Sequence, residues 1–236
     1  MRLNILALET SSQHCSVALQ YGNQVATRLD SSALSHSRSL LSMIDEVLKE
    51  AKLSLSDLNG IAVTRGPGSF TGLRIGIAVA QGLAFGHQLP VVPISSLSAV
   101  AYNAFLYWQK QSVKVDAVLA TMDARMGEVY CGWYDLRHAL PVLTGAEHVL
   151  KPELLSQVGR PDSNGSSEAS IKIAIAGQGL HYLAQYPESL LNVPSQLDVL
   201  PDATALLPLA LRDFNLGKAV DAETLTPVYL RDNVTY

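Results

Sequence analysis

Two cysteines, Cys15 and Cys131, sit in separate segments, which suits reduced, mostly buried thiols better than a disulfide frame or a zinc site. Charge is scarce as well. Lys and Arg number 17 against 21 Asp and Glu, the formal net charge is -4, and no basic run occurs. Holding nucleic acid unaided needs clustered cations to neutralise phosphate, so that class is excluded for the chain by itself. No apolar run is long enough to cross a bilayer. The N-terminal MRLNILALETSS ends a short apolar stretch in an acid and hydroxyls, with no cleavage-type small-residue site. It reads as a first strand, and the protein is expected to be cytoplasmic with no membrane segment. No short-period internal repeat is visible.

What is present is a chain of 236 residues, 48% hydrophobic, able to bury a full core in one large or two small domains. Residues 4–10 (NILALET), 15–21 (CSVALQY) and 24–29 (QVATRL) predict three strands, the last two joined by a tight turn at Gly22 and Asn23. Residues 35–51 place Leu40, Leu41, Ile44, Val47, Leu48 and Ala51 at helical spacing, with Ser35 or Ser37 as cap. A strand at 60–64 and another at 91–94 follow, with a helix at about 96–108.

This order, three strands and then helix, strand, helix, strand, helix, is that of the ribonuclease-H-like fold, with strand-helix-strand crossovers that favour a parallel arrangement of the later strands. The pattern then restarts. Residues 116–122 and 128–135 read as a hairpin, 171–176 (IKIAIA) as a buried strand before a helix, and 203–217 as a helix leading to an extended tail. Residues 159–170 (GRPDSNGSSEAS) carry turn formers without apolar periodicity and read as a flexible surface loop.

Residues 64–86 (TRGPGSFTGLRIGIAVAQGLAFG) hold six glycines in what otherwise looks like an apolar helix. Each glycine inside a helix costs about 1 kcal/mol against alanine, so the stretch requires a reason. A phosphate cradle is one: the loop precedes a helix N-terminus with free N–H groups. Its spacing, G-x-G-x-x-x-G, is one residue longer than the dinucleotide fingerprint, and no Lys-Ser/Thr pair follows. Close packing is the other. Gly72, Gly76, Ala80 and Ala84 recur every fourth residue, a flat stripe on a helix apolar almost all round.

LETSS at 8–12, TRGPGSFTGLRIGIAVAQGLA, MDARMGEVY at 122–130 and PVYLR at 227–231 together resemble the TsaB (YeaZ) family, accessory proteins of bacterial tRNA threonylcarbamoyladenosine synthesis. The resemblance runs over nearly the whole chain. It implies an α/β, actin-like ATPase fold of the sugar kinase, Hsp70 and actin kind, ribonuclease-H-like, with two related subdomains. Expected boundaries are 1–108 for the first, 109–215 for a smaller, degraded second, and 216–236 for a tail packing back on the first. In that tail Tyr229 and Leu230 are expected to pack and Arg231 to be exposed.

The resemblance further implies that the chain is a paralogue of the catalytic subunit TsaD and pairs with it. The catalytic relative has an H-x-x-x-H metal motif where this chain has Ser96 and Val100, which cannot stand in for two imidazoles. The six histidines have no pair closer than ten residues. No metal and no cofactor is therefore expected, and no catalytic residue is assigned. Glu9, Thr10, Ser11 and Ser12, with Asp123 of the second subdomain, are candidates for vestigial nucleotide contact, against the plainer reading of a strand end and a turn cap.

The implied role is a non-catalytic scaffold. Leu40, Leu41, Ile44 and Val47 of one helix and Gly72, Leu73, Gly76 and Ala80 of the next would meet TsaD, with TsaE joining the complex, to support threonylcarbamoyl transfer onto adenosine of tRNAs that read codons beginning with A. Without TsaD the same surface would form a two-fold homodimer, and tRNA would be met only through the complex. An independent actin-like phosphotransferase using Glu9 and Asp123, distinguished by ATP turnover, is the alternative. A metalloprotease, distinguished by stoichiometric metal, is a further one.

Overall fold

The computed structural model describes residues 3–32, 36–161, 171–196 and 198–231, leaving out the side chains of residues 36–38. Residues 1–96 with 201–228 form one compact unit, and 97–200 with the tail from Tyr229 form a second. The helix at 203–215, expected in the second subdomain, belongs to the first unit, and the helix that starts at Ser96 belongs to the second. The 1–108 and 109–215 division is corrected accordingly, because each helix goes with the sheet whose apolar face it covers.

The first unit is built on a five-stranded sheet in the order β3-β2-β1-β4-β5. β1 (Ile5–Glu9) pairs antiparallel with β2 (Cys15–Tyr21), which pairs with β3 (Gln24–Asp30) around the Gly22 turn. On its other side β1 runs parallel to β4 (Gly60–Gly66), and β4 to β5 (Val91–Ser95). Alternation sends Leu6, Leu8, Val17, Leu19, Ile61 and Val63 to one face. There they share a core with Leu40, Ile44 and Val47 of α1 (His36–Ala51) and with Ile77, Ala80 and Ala84 of α2 (Phe70–His87). The expected cap at Ser35 or Ser37 lies outside the described residues and side chains.

The second unit has the order β10-β9-β6-β7-β8. β6 (Ala117–Arg125) and β7 (Glu128–Asp135) form the expected hairpin, β9 (Ile173–Ala176) runs parallel to β6, and β10 is Ser195–Gln196. β8 (Val142–Leu150) has no counterpart in the sequence reading, because it is an edge strand with no buried residue and Gly145 at positive φ, so it lacks a clean apolar alternation. One face of this sheet packs on Leu97, Val100, Ala101, Ala104 and Trp108 of α3 (Ser96–Lys110). The other packs on Leu155, Val158, Leu180, Tyr186 and Leu190. The helix expected after β9 is a 3-10 run, Gln178–Gln185, followed by the single turn α4 (Glu188–Leu191). Gly177 and Gly179 seat against Thr121 there, and Pro187 ends the run before it can propagate.

α5 (Ala203–Asn215) returns to the first unit, capped by Asp202, whose carboxylate accepts from Ala205 N at 2.9 Å. Of the loop at 159–170, residues 162–170 lie outside the described part, as do tail residues 232–236.

Candidate functional site

The end of β1 and the glycine stretch form one assembly in the first unit. Glu9 is fully buried. Its Oε1 accepts from Ser11 N at 2.6 Å and from the Ser11 hydroxyl, and its Oε2 from Ser12 Oγ at 3.4 Å. Burial pushes its carboxyl up to about 8, against the hydroxyl and amide bonds that favour the charge, with the Asp202 carboxylate adding to the rise. The acid therefore holds its own turn together. Thr10 and Ser11 are likewise wholly buried, and Ser12 nearly so.

That turn is what the glycines approach. Ser69 N donates to the Ser11 carbonyl at 2.8 Å, and Thr10 Oγ1 donates to the Gly72 carbonyl at 2.8 Å. A Cβ at Gly68 would stand 2.3 Å from the Ser11 carbonyl oxygen, at Gly72 2.0 Å from that of Thr10, and at Gly76 2.3 Å from Thr10 Oγ1. Ser69 caps α2, accepting from Gly72 N at 3.2 Å. The expectation that Gly72 and Gly76 make the flat face of a partner contact is corrected: they let their own strand end approach α2. Leu40, Ile44, Val47, Leu73 and Ala80 are also buried, and of the eight expected contact residues only Leu41 is exposed. The parts that the sequence placed outward are the core side of the same two helices.

α2 has a second stripe of small residues, which the sequence reading passed over. Ala78, Gly82 and Gly86 recur every fourth residue on the exposed side, and nothing lies within 4 Å of a Cβ built at Gly82 or Gly86. Phe85 beside them is 68% exposed and Phe70 44%, while Leu41 of α1 is 55% exposed. Arg74 lies over the Phe70 ring at 3.7 Å. Because α2 is small and apolar on both sides, helical periodicity alone did not tell the inward stripe from the outward one.

Asp123 belongs to the second unit. Its carboxylate accepts from Arg125 N at 2.8 Å and Tyr182 OH at 3.2 Å and pairs with Arg125 Nη1 at 3.1 Å, closing the β6-β7 turn. Arg231, expected to be exposed, is instead four-fifths buried: its Nη2 pairs with Glu128 and donates to the Ala124 carbonyl at 3.2 Å. The extended tail lays its guanidinium along this hairpin because Glu128 and an open carbonyl meet there. Tyr229 is the exposed one, at 44%. Ser96 Oγ and Thr64 Oγ1 are buried without hydrogen-bond partners, and Val100 lies in the α3 core. Among the described residues, no group of three or more His, Cys, Asp or Glu side chains is placed to hold a metal ion. Among them too, no helix is long and apolar enough to cross a membrane.

Residues 30–197 match the family model TsaD, tRNA N6-adenosine threonylcarbamoyltransferase. The chain is 38% identical over 236 residues to the tRNA threonylcarbamoyladenosine biosynthesis protein TsaB of Escherichia coli (strain K12), covering 99% of this chain and 97% of the relative. It is 36% identical to the protein of the same name from Haemophilus influenzae, covering 99% and 96%. The solved structure described as YeaZ from Pseudomonas aeruginosa superposes with a TM-score of 0.83 at 36% identity, covering 97% of this chain and all of that one.

Proposed function

The chain belongs to the TsaB family of tRNA threonylcarbamoyladenosine biosynthesis proteins, and from that premise we propose that it is a non-catalytic subunit which binds TsaD through the outward face of α2 and the adjoining α1. The observation that carries this reading is the stripe Ala78, Gly82 and Gly86 beside exposed Phe85. A glycine in the middle of an exposed helix costs about 1 kcal/mol and gains nothing from its own chain. A second helix laid along that groove gains close backbone approach and a buried aromatic ring, which suits a helix-to-helix partner contact. Enclosure of Glu9 by its own turn, and use of Asp123 to close a hairpin, support leaving the transfer chemistry to TsaD.

TsaE joins the complex in this reading, and tRNA is met through the complex in the cytoplasm. When TsaD is absent the same face pairs with its copy in a two-fold homodimer, since one self-complementary patch suffices. The test is a pull-down of TsaD and TsaE, with and without ATP, by the wild-type chain and by Gly82→Arg. The substitution should abolish TsaD capture and self-association alike. Capture of TsaD at wild-type strength by Gly82→Arg would place the contact elsewhere.

A further inference from the structure

Each of the two sheets has two edges, and an edge strand offers a row of backbone N–H and C=O groups to any passing strand unless something guards it. Three of the four edges are guarded. β5 carries Pro93, which has no N–H, and Val220 exchanges two backbone hydrogen bonds with Val91, at 2.9 and 2.7 Å. β10 is two residues long. β8 slips register against β7 and holds Gly145 at positive φ, the marks of a bulge.

β3 has none of these. Its sequence QVATRLD holds no proline, glycine or lysine, and all seven residues keep one register with β2. Its cation, Arg28, is drawn toward α1, with Nε 2.8 Å from Glu46 and Nη2 2.9 Å from Glu50. Among the described residues no strand pairs with the outer side of β3.

The β2-β3 hairpin turns on two residues, Gly22 and Asn23, so Tyr21 and Gln24 are its closing hydrogen-bonded pair. Counting from that pair, Gln24, Ala26, Arg28 and Asp30 turn their backbone groups toward β2, and Val25, Thr27 and Leu29 turn theirs out of the edge. The Thr27 carbonyl bears this out, accepting from Arg28 Nη1 at 2.8 Å and keeping a second lone pair. The same three residues bear exposed side chains on one face, Val25 at 50% and Leu29 at 63%.

We infer that β3 pairs antiparallel with β3 of a second copy about a two-fold axis at Thr27, joining two five-stranded sheets into one of ten. In that register Val25 faces Leu29 of the second copy and Thr27 faces its own counterpart. These are the residues whose backbone groups point outward, so all three kinds of outward position find a hydrogen-bonded pair. A slip of one residue would set them against groups already committed to β2. The side chains agree with the backbone: two Val-Leu pairs cover four exposed apolar groups, Gln24 faces Asp30, and Arg28 faces the small Ala26. No like charges oppose. One strand thus complements itself in both respects, as an isologous contact requires. The contact uses no residue of α2, and its small size puts it in the weak class, filled at high chain concentration and not under the dilution of a pull-down.

The test uses the full chain. Thr27→Cys sets two thiols across the axis with Cα atoms about 5.5 Å apart, within disulfide range. Leu29→Cys sets them about 14 Å apart, out of reach. Both positions are exposed, and the native Cys15 and Cys131 are buried. With diamide at high chain concentration, Thr27→Cys should form a covalent dimer at least about tenfold faster than Leu29→Cys. A mixture of Val25→Cys and Leu29→Cys should give the mixed dimer. Adding Gly82→Arg should leave the Thr27→Cys rate unchanged. In the wild-type chain, amide exchange at Val25, Thr27 and Leu29 should slow about tenfold once about nine chains in ten are paired, while Ala26 and Arg28 keep their rates. Equal cross-linking of Thr27→Cys and Leu29→Cys, loss of the Thr27→Cys dimer with Gly82→Arg, or exchange at the three outward amides that stays constant up to the solubility limit overturns the pairing.

Discussion

Gly72 is pressed against Thr10 so closely that a Cβ on the glycine would stand 2.0 Å from the Thr10 carbonyl oxygen, while the Thr10 hydroxyl donates to the Gly72 carbonyl at 2.8 Å. Strand end and helix start are locked by the absence of a side chain. Gly76 continues the contact one turn later, with Thr10 Oγ1 at 2.3 Å from its would-be Cβ. Gly72→Ala and Gly76→Ala should therefore each lower stability by about 1–3 kcal/mol through overpacking. Gly82→Ala, in open space on the same helix, should raise it by about 0.5–1 kcal/mol. Urea denaturation of the three variants checks the contrast, and equal effects would remove it.

Phe85 should separate binding from folding. At 68% exposure its truncation to Ala removes little of the core, so the urea midpoint should stay near that of the wild type. Affinity for TsaD should fall by at least about tenfold, the loss of a buried aromatic contact in a partner interface. Calorimetry against purified TsaD measures it.

Glu9 binds its proton more tightly in the folded chain, at about 8, than at its ordinary 4.5. The folded state thus holds more protons between those values, and stability falls as pH rises through them. The contribution is complete below pH 4.5 and lost above about 8. Glu9→Gln has no proton to lose. Its urea midpoint should match the wild type near the acid end of that window and exceed it at the alkaline end; parallel curves for the two proteins would contradict the assignment.

Cys15 and Cys131 are fully buried, and burial pushes both thiols up to about 12. Only the thiolate attacks disulfide reagents, so in the native chain at neutral pH both should react far more slowly than a free thiol. Both should react promptly in denaturant. Rapid native labelling of either residue, followed by absorbance of the released thiolate, would show an access path that burial denies.

The carboxylate of Glu128 and the guanidinium of Arg231 hold the tail on the β6-β7 hairpin while both keep some contact with solvent. Screening limits such a pair, so Arg231→Ala should cost no more than about 1 kcal/mol globally. Its local effect should be larger. Amide exchange at the tail and at Ala124 to Glu128 should accelerate, and unchanged protection there would mean that the tail is held by other contacts.

Most of the first unit was legible in the chain because its strands alternate or run apolar between clear turn formers, as in LETSS, the Gly22 turn and the Gly60 to Gly66 strand. That Ser69 caps α2 came from the structure; from the sequence only a helix N-terminus after the glycine loop was legible. β8 and the 3-10 run after β9 were not, since an exposed edge and a glycine-seated turn leave little periodic trace.

Sequence by itself determined that the helix from Phe70 to His87 is crowded with small residues, that the two cysteines stand in separate segments, and which family the chain resembles. It left open which side of that helix meets what. Only the tertiary structure decided that Gly72 and Gly76 face Thr10 and that Gly82 and Gly86 face open space, because two stripes of equal chemistry differ solely in what the rest of the chain lays against them.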